Sequence, residues 1–307
     1  MVIRVGMIGL SEGNGHPFSF SAIINGFDEI GMAESGWPGI HTYLKRRHPS
    51  EFGYPGVSVT HAWTQDADQT KALCDACRIT NPVDDPAEFP GAVDAVIIAR
   101  DDHERHWEMA QPFLEAGLPV FVDKPLSLDV DELRRFLPYA TQGLLMSCSG
   151  MRYARELDEL RAGEVELGET CLVRGVTVKG WDKYAIHMLD GIFGALELEP
   201  VSVTAHEADH ESVAVATRSG AVVQIDALGE VIPVFQIDVF GTQGRFSCEV
   251  RDNFVMFRRT LWHFIQMVET GKPQVPEKEM LRPLTTLLAG DIAMREKRRV
   301  EISEVRL

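Results

Sequence analysis

The sequence predicts a chain in two parts: an α/β half built on a doubly wound parallel sheet, then an α+β half with an open, mostly antiparallel sheet. Three observations carry this reading. The stretch 93–125, VDAVIIARDDHERHWEMAQPFLEAGLPVFVDKP, reads as a buried strand over 93–99, a charged loop, an amphipathic helix to Ala116, a Gly117 stop and a second strand over 120–122. Two apolar runs joined by one helix of this length make a βαβ crossover, and hence a parallel sheet. The N-terminal run 2–8 also ends in a glycine-rich turn leading into a helix, the second such unit. After Thr170 the pattern changes to short strands joined by tight turns such as Arg218-Ser219-Gly220 and Gly241-Thr242-Gln243-Gly244, which imply hairpins.

The bulk numbers bound the partners. A chain of 307 residues is long for one core and suits two domains, placed at 1–125 and 126–307. A net charge of −16 argues against nucleic acid and against an anionic membrane surface, both of which need a basic face. Small molecules are the expected partners. The N-terminus runs straight into a strand without a leader-like pattern, and no apolar run reaches membrane-spanning length, so a cytoplasmic protein is expected. Five scattered cysteines do not make a disulfide scaffold, and Cys74 and Cys77 read as two small residues on a helix over 69–78. No metal site is expected: His206 and His210 straddle a turn and lack a third ligand.

The elements follow in order. After strand 2–8 comes Gly9-Leu10-Ser11-Glu12-Gly13-Asn14-Gly15-His16-Pro17, then a helix over 18–25. A strand, a glycine-rich turn and a helix start is a layout that presents backbone N–H groups to a phosphate. The spaced glycine pattern is altered, however. Ser11 stands where the second glycine belongs and Asn14 where the third belongs, with Gly13 out of step. Residues 26–56 form a long irregular connection with a short basic helix over 40–47. Strand 57–63 ends in Thr64-Gln65-Asp66, where an acidic residue for a free ribose or an arginine for a 2′-phosphate would stand; Thr64 is neither, and Asp66 either serves from two positions on or caps the helix from Ala67. Helices are expected over 129–139, 154–161, 184–194, 261–271 and 277–296, with the last packing back on the first domain as an option. Strands are expected over 144–149, 170–178, 201–206, 212–217, 221–227, 235–240 and 245–249.

Ligands of open parallel sheets lie outside the carboxyl ends of the strands. The loops at 100–103 and 123–124 therefore belong to the working edge. Of the histidines there, His106 is expected to face solvent.

These residues resemble the glucose-fructose oxidoreductase, inositol dehydrogenase and MocA (Gfo/Idh/MocA) family. The resemblance rests on 115–125, EAGLPVFVDKP, beside the family's Glu-Lys-Pro tripeptide, on Ala99 to His103, on Arg152-Tyr153, on Gly168-Glu169 and on the late turn 241–244. It implies a Rossmann-like first domain binding NAD or NADP, a homo-oligomer (dimer or tetramer), and hydride transfer to or from a sugar, polyol or related hydroxylated molecule. Gly9, Ser11, Gly13, Asn14, Thr64, Ala99, Asp102, His103, Asp123 and Lys124 would line the cofactor. Arg152 and Tyr184 would face the substrate.

The family's helical Asp-x-x-x-His motif, with a second Asp three residues on, reads here as Lys183, His187 and Asp190, a divergent form in which lysine replaces the first aspartate. Asp182 is one residue early, about 100° round a helix, and does not substitute.

Oxidising an alcohol needs a base for the hydroxyl proton while hydride leaves carbon. Lys124, stiffened by Pro125 at a strand end, suits that task, with His187 as proton-transfer partner and Lys183 or Asp190 setting its protonation. On a regular helix Lys183, His187 and Asp190 share one face. If Lys183 points into the site, two ammonium groups lower each other's pKa, and a Lys183→Ala variant with an unchanged pH–rate profile would sink that idea. Two rivals stand beside the oxidoreductase reading: a non-catalytic dinucleotide- or ligand-sensing protein on the same fold, and a hydrolase or lyase using tightly held NAD.

Overall fold

In a computed structural model, which describes residues 2–307, the N-terminal apolar run forms β1 (Ile3–Ile8), buried along nearly all its length. α1 (His16–Asn25) follows, then α2 (Glu29–Glu34), started by Asp28, whose side chain accepts from the amides of Ile30 and Gly31, and α3 (Pro38–Leu44). The long connection thus holds two helices and a 3₁₀ turn at Pro49–Glu51 rather than one helix over 40–47. β2 (Val57–Trp63), α4 (Ala67–Cys77) and the two-residue β3 (Asn81–Pro82) come next. β4 (Ala95–Ile98), α5 (His106–Glu115) and β5 (Val120–Val122) are the predicted crossover, and α6 (Val130–Thr141) leads to β6 (Leu145–Met146).

These strands make one six-stranded sheet in the order β3-β2-β1-β4-β5-β6, and every pair in it is parallel. β1 aligns Ile3 with Val57 of β2 and Val5 with Ala95 of β4, while Val96 of β4 aligns with Val120 of β5. In a parallel sheet this register brings all the carboxyl ends to one edge. Residues 9–15, 64–66, 99–103 and 123–125 all issue from it. Strands buried on both faces explain why β4 and β5 read as unbroken apolar runs. Cys74 and Cys77 pack in this core on α4, and burial pushes the Cys74 thiol up to about 11, far from a reactive thiolate.

The second sheet starts after α7 (Asp158–Arg161) with β7 (Thr170–Thr177); α8 (Ile186–Ala195) is followed by β8 (Pro200–His206), β9 (Glu211–Thr217), β10 (Val222–Ala227), β11 (Gln236–Gly241) and β12 (Arg245–Glu249). α9 (Asn253–Thr270), α10 (Glu277–Glu296) and β13 (Val300–Glu301) end the chain. The seven strands run β12-β11-β7-β10-β9-β8-β13, antiparallel except for β7 with β10. Among the described residues no helix is long and apolar enough to cross a membrane.

Three further predicted helices differ from those observed. The helix expected over 154–161 is a 3₁₀ turn, Arg155–Leu157, before a single α turn, and Ala154, at a ψ of 131°, separates it from an earlier 3₁₀ turn at Gly150–Tyr153. α9 begins eight residues before the predicted start, at a point where Asp252 accepts a hydrogen bond from the amide of Val255 at 3.1 Å. The helix predicted over 184–194 opens with a π-type turn, Trp181–Ala185, and is α-helical only from Ile186.

The chain divides into two compact units. One holds the chain up to Ser127 with Arg135–Ser147 and Phe257–Val275; the other holds Leu128–Arg134, Cys148–Met256 and Pro276–Leu307. The last helix therefore belongs to the second unit, where its buried residues Met280, Leu284 and Leu287 pack towards β8 and α8. Gly290 on that helix is needed for contact: a Cβ there would stand 2.2 Å from Cζ2 of the fully buried Trp181. Trp181 donates its indole N–H to the Leu287 carbonyl at 2.9 Å, which fixes the start of the π turn.

Candidate active site

The edge of the first unit is knit together by side chains of its own loops. Gly9 lets α1 come down on the end of β1, since a Cβ would stand 2.4 Å from Pro17. Beyond it Gln65, from the end of β2, accepts the amide of Leu10 at 2.9 Å and an Arg100 N–H at 2.8 Å. Arg100, almost fully buried, is held on its other side by both oxygens of Asp102, at 2.8 and 2.5 Å. Burial opposes the Asp102 charge, but the guanidinium outweighs it and keeps the carboxyl below its ordinary value. The Ser11 hydroxyl donates to Asp101 at 2.6 Å. Thr64 turns its hydroxyl into the β2–α4 turn, donating to the Asp66 carbonyl at 2.6 Å. Ala99 is fully buried, and His103 is half-buried beside Glu104.

Asp123, Lys124 and Pro125 leave β5 as a buried turn with a cis Lys124–Pro125 bond. Asp123 is the most constrained group there. Its Oδ2 takes His16 Nδ1 at 2.5 Å and the Asn14 amide at 3.1 Å, and its Oδ1 takes the Lys124 backbone N–H at 2.9 Å. Burial disfavours the carboxylate, yet the His16 charge and hydrogen bond, the Lys124 ammonium and Asn14 together hold Asp123 far below the usual carboxylate range. The His16 ring stacks on Phe20 at 5.0 Å and meets Phe257 edge-on at 4.9 Å. His16 had no motif to reveal it, because it lies in the altered glycine loop and is joined to Asp123 only by the fold.

The sign of the Asp123 shift has a measurable result. Its stabilising contribution is present above the unfolded-chain pKa of about 3.9 and is lost as pH falls through the lower folded value. Asp123→Asn is expected to lose stability at pH 7 and to show a smaller further loss towards pH 3 than the parent, read by urea unfolding at stepped pH. Two curves displaced by a constant would contradict this.

His106 corrects the sequence reading. It is fully buried, with Nδ1 3.0 Å from the Leu126 carbonyl and Nε2 3.0 Å from the Arg100 carbonyl. It therefore ties the loop after β4 to the turn after Pro125. Burial lowers its pKa, against the pull of the two carbonyls.

The loop after β1 departs from the expected phosphate-binding layout. The first-turn amides of α1 are already used: His16 N donates to Asn14 Oδ1 at 2.9 Å, residue 17 is proline, and Phe18 and Ser19 donate to the Gly15 carbonyl. Gly13 is exposed at a φ of 76° with open space where a Cβ would stand. The first-turn amides of α1 are thus bonded within the chain, and the open backbone of this loop lies at its tip, at Gly13.

In the second unit His187 and Asp190 lie on α8, and both meet Ser149, through different atoms. His187 Nδ1 is 2.7 Å from the Ser149 hydroxyl. Asp190, fully buried, accepts the Ser149 amide at 2.6 Å and Arg152 Nη1 at 2.7 Å. Arg152 also reaches Glu279 of α10. The π turn changes the spacing that was to put Lys183 on the same face, and Lys183 is exposed. Tyr184 packs with His187 and Phe235, and the cation over its ring is Lys179, 5.0 Å from the centroid.

Residues 3–146 match the model of the Gfo/Idh/MocA group, an oxidoreductase family with an NAD-binding Rossmann fold. That span, a little under half of the chain, is similar to the Gfo/Idh/MocA family. No curated protein matches by sequence. Among solved structures the chain resembles myo-inositol 2-dehydrogenase from Lactobacillus plantarum, at 16% identity and a TM-score of 0.78 over 98% of this chain and 99% of that one. It also resembles scyllo-inositol dehydrogenase from Lactobacillus casei, solved with NAD(H) and scyllo-inositol, at 13% identity, a TM-score of 0.78 and 99% and 100% coverage. A myo-inositol dehydrogenase from Corynebacterium glutamicum gives 14% identity, a TM-score of 0.74 and 98% and 99% coverage. At these identities the likeness is one of fold, and it covers both units.

Proposed function

We propose that this protein is an NAD(P)-dependent oxidoreductase acting on a CH–OH group of a sugar, polyol or related hydroxylated small molecule. The observation that carries the reading is Lys124, buried at the carboxyl end of β5 beside an Asp123 that two glycine-loop residues hold ionised. The inositol dehydrogenases among the structural neighbours support the substrate class.

When bound, the nicotinamide gives or accepts hydride. Lys124 takes or returns the hydroxyl proton. His187 is a proton-transfer partner, its ring oriented by the Ser149 hydroxyl at Nδ1. Asp190 holds Arg152 in place towards the substrate. Lys183, being exposed, has no assigned step. The working form is a cytoplasmic homo-oligomer, supported by a partly exposed apolar patch of register partners, Leu172, Val222 and Phe240, on the second sheet.

One observation favours the non-catalytic sensor: the first-turn amides of α1 are already bonded within the chain. Titration with NADH and NADPH by fluorescence, followed by turnover assays across inositols and sugars, separates the readings. Binding with turnover on a polyol is expected. Tight binding without turnover would favour the sensor, and absence of binding by either nucleotide would sink both.

A further inference from the structure

We propose that the cleft where α10 starts beside β8 is a further ligand site, which takes a small aliphatic monocarboxylate on the guanidinium of Arg282 in competition with Glu279. Every residue that lines it belongs to the second unit. The cleft measures about 550 Å³, within the range of small-molecule sites. Leu281, Ile302, Val305 and Leu307 give it apolar walls, and Lys278 and Arg282 bring cations to it.

Its acids are Glu199 and Glu277. Glu199 is committed to Lys278, Oε2 to Nζ at 3.0 Å. The Lys278 hydrogen bond, against some burial and with the charges of Lys278, Arg282 and Arg218, holds Glu199 below its ordinary value. Glu277 serves the first turn of α10, where a carboxylate suits the helix dipole.

Arg282 is the group with unused capacity. Its side chain is only 12% exposed, and its guanidinium lies 6.0 Å from the centroid of the Phe193 ring. Nη2 donates to Glu279 Oε1 at 3.3 Å, while Nε, shielded from water, has no hydrogen-bond partner among the described residues. Together Nε and Nη2 form an edge that a carboxylate takes with both oxygens. Arg4 fills that edge with Asp94, at 3.0 and 2.8 Å, and Arg100 fills it with Asp102, at 2.8 and 2.5 Å. In Arg282 it is half empty, because Glu279 gives its other oxygen to Arg152, which Asp190 holds in turn.

A buried donor left unmatched is costly, so an acceptor that reaches it is favoured. Because Nε lies out of water's reach, filling the edge takes a turn of the guanidinium towards the cleft. The long contact to Glu279 gives way, leaving that carboxylate to Arg152. A dianion would meet Glu199, Glu277 and Glu279, and the apolar walls call for a hydrocarbon body, so an aliphatic monocarboxylate is the matching class.

Ligand-observed NMR titration of the whole protein with hexanoate is expected to show one saturable site with a Kd on the order of 1 mM. Hexanamide keeps the body without the charge, and chloride keeps a charge without the body; each should bind at least about tenfold more weakly. Arg282→Gln should weaken hexanoate by about tenfold. Ile302→Glu, which leaves the guanidinium in place and puts a charge on the apolar wall, should do the same, with near-parent melting transitions showing that each variant is folded. Glu279→Gln, which removes the competing carboxylate, should tighten hexanoate by about threefold, a gain that a merely structural Glu279 would not give. Absence of hexanoate binding in the parent, equal binding of hexanamide, full affinity in Arg282→Gln or Ile302→Glu, or an affinity that Glu279→Gln leaves unmoved would each overturn the proposal.

Discussion

Replacing Lys124 with methionine is expected to lower kcat by about 10³-fold while leaving NADH affinity within about threefold. Methionine keeps most of the buried stem and removes the ammonium, so the change isolates the proton-transfer group from the packing around it. The fall should appear in kcat and in kcat/KM alike, because a base acts in the transition state and contributes little to ground-state binding. A variant that kept its kcat would remove Lys124 from the mechanism. One that lost NADH binding would make the residue a structural part of the cofactor edge. Asp123 loses the Lys124 ammonium in this variant but keeps His16, Asn14 and the backbone N–H of residue 124 as hydrogen-bond partners.

The second large effect lies in the second unit. Arg152→Met is expected to destabilise the protein by about 3–5 kcal/mol, with the melting transition falling by on the order of 10 °C. Arg152 is buried with Asp190 at 2.7 Å and also reaches Glu279, so its loss leaves a fully buried carboxylate with only the Ser149 amide in its place. Most of the cost is the stranded charge rather than a lost attraction. The double variant Arg152→Met with Asp190→Leu should therefore recover much of the stability, measured by urea unfolding. If the double variant is less stable than the single one, packing rather than charge governs the site. Activity need not return with stability in the double variant, which separates substrate positioning from structural support.

The parallel sheet was legible because its strands are buried on both faces and so read as unbroken apolar runs, and Lys124 was legible because a tripeptide at the end of one of them marks it. The second sheet was legible from its turns. Other features were invisible for physical reasons. A π turn leaves no mark in side-chain periodicity, so Lys183 to Asp190 read as regular helix and placed Lys183 on the face of His187 and Asp190. His106 looked like an exposed residue because the carbonyls of Leu126 and Arg100 that hold it are backbone groups, brought to it only by the crossover. β3 and β13, two residues each, are too short for any pattern. His16 followed a loop judged by its missing glycines, whereas its importance comes from what the loop touches.

That loop also bears on the thermodynamics of ligand capture. Leu10 is tethered to Gln65, Ser11 to Asp101, and Asn14 and His16 to Asp123, so the segment between β1 and α1 is pinned to the ends of three other strands before any ligand arrives. A glycine-rich loop in another setting loses backbone freedom when it closes on a phosphate. Here most of that freedom is surrendered during folding. Ligand affinity is thereby uncoupled from loop ordering, and association depends on the fit of a preset surface rather than on the rate at which a flexible one rearranges.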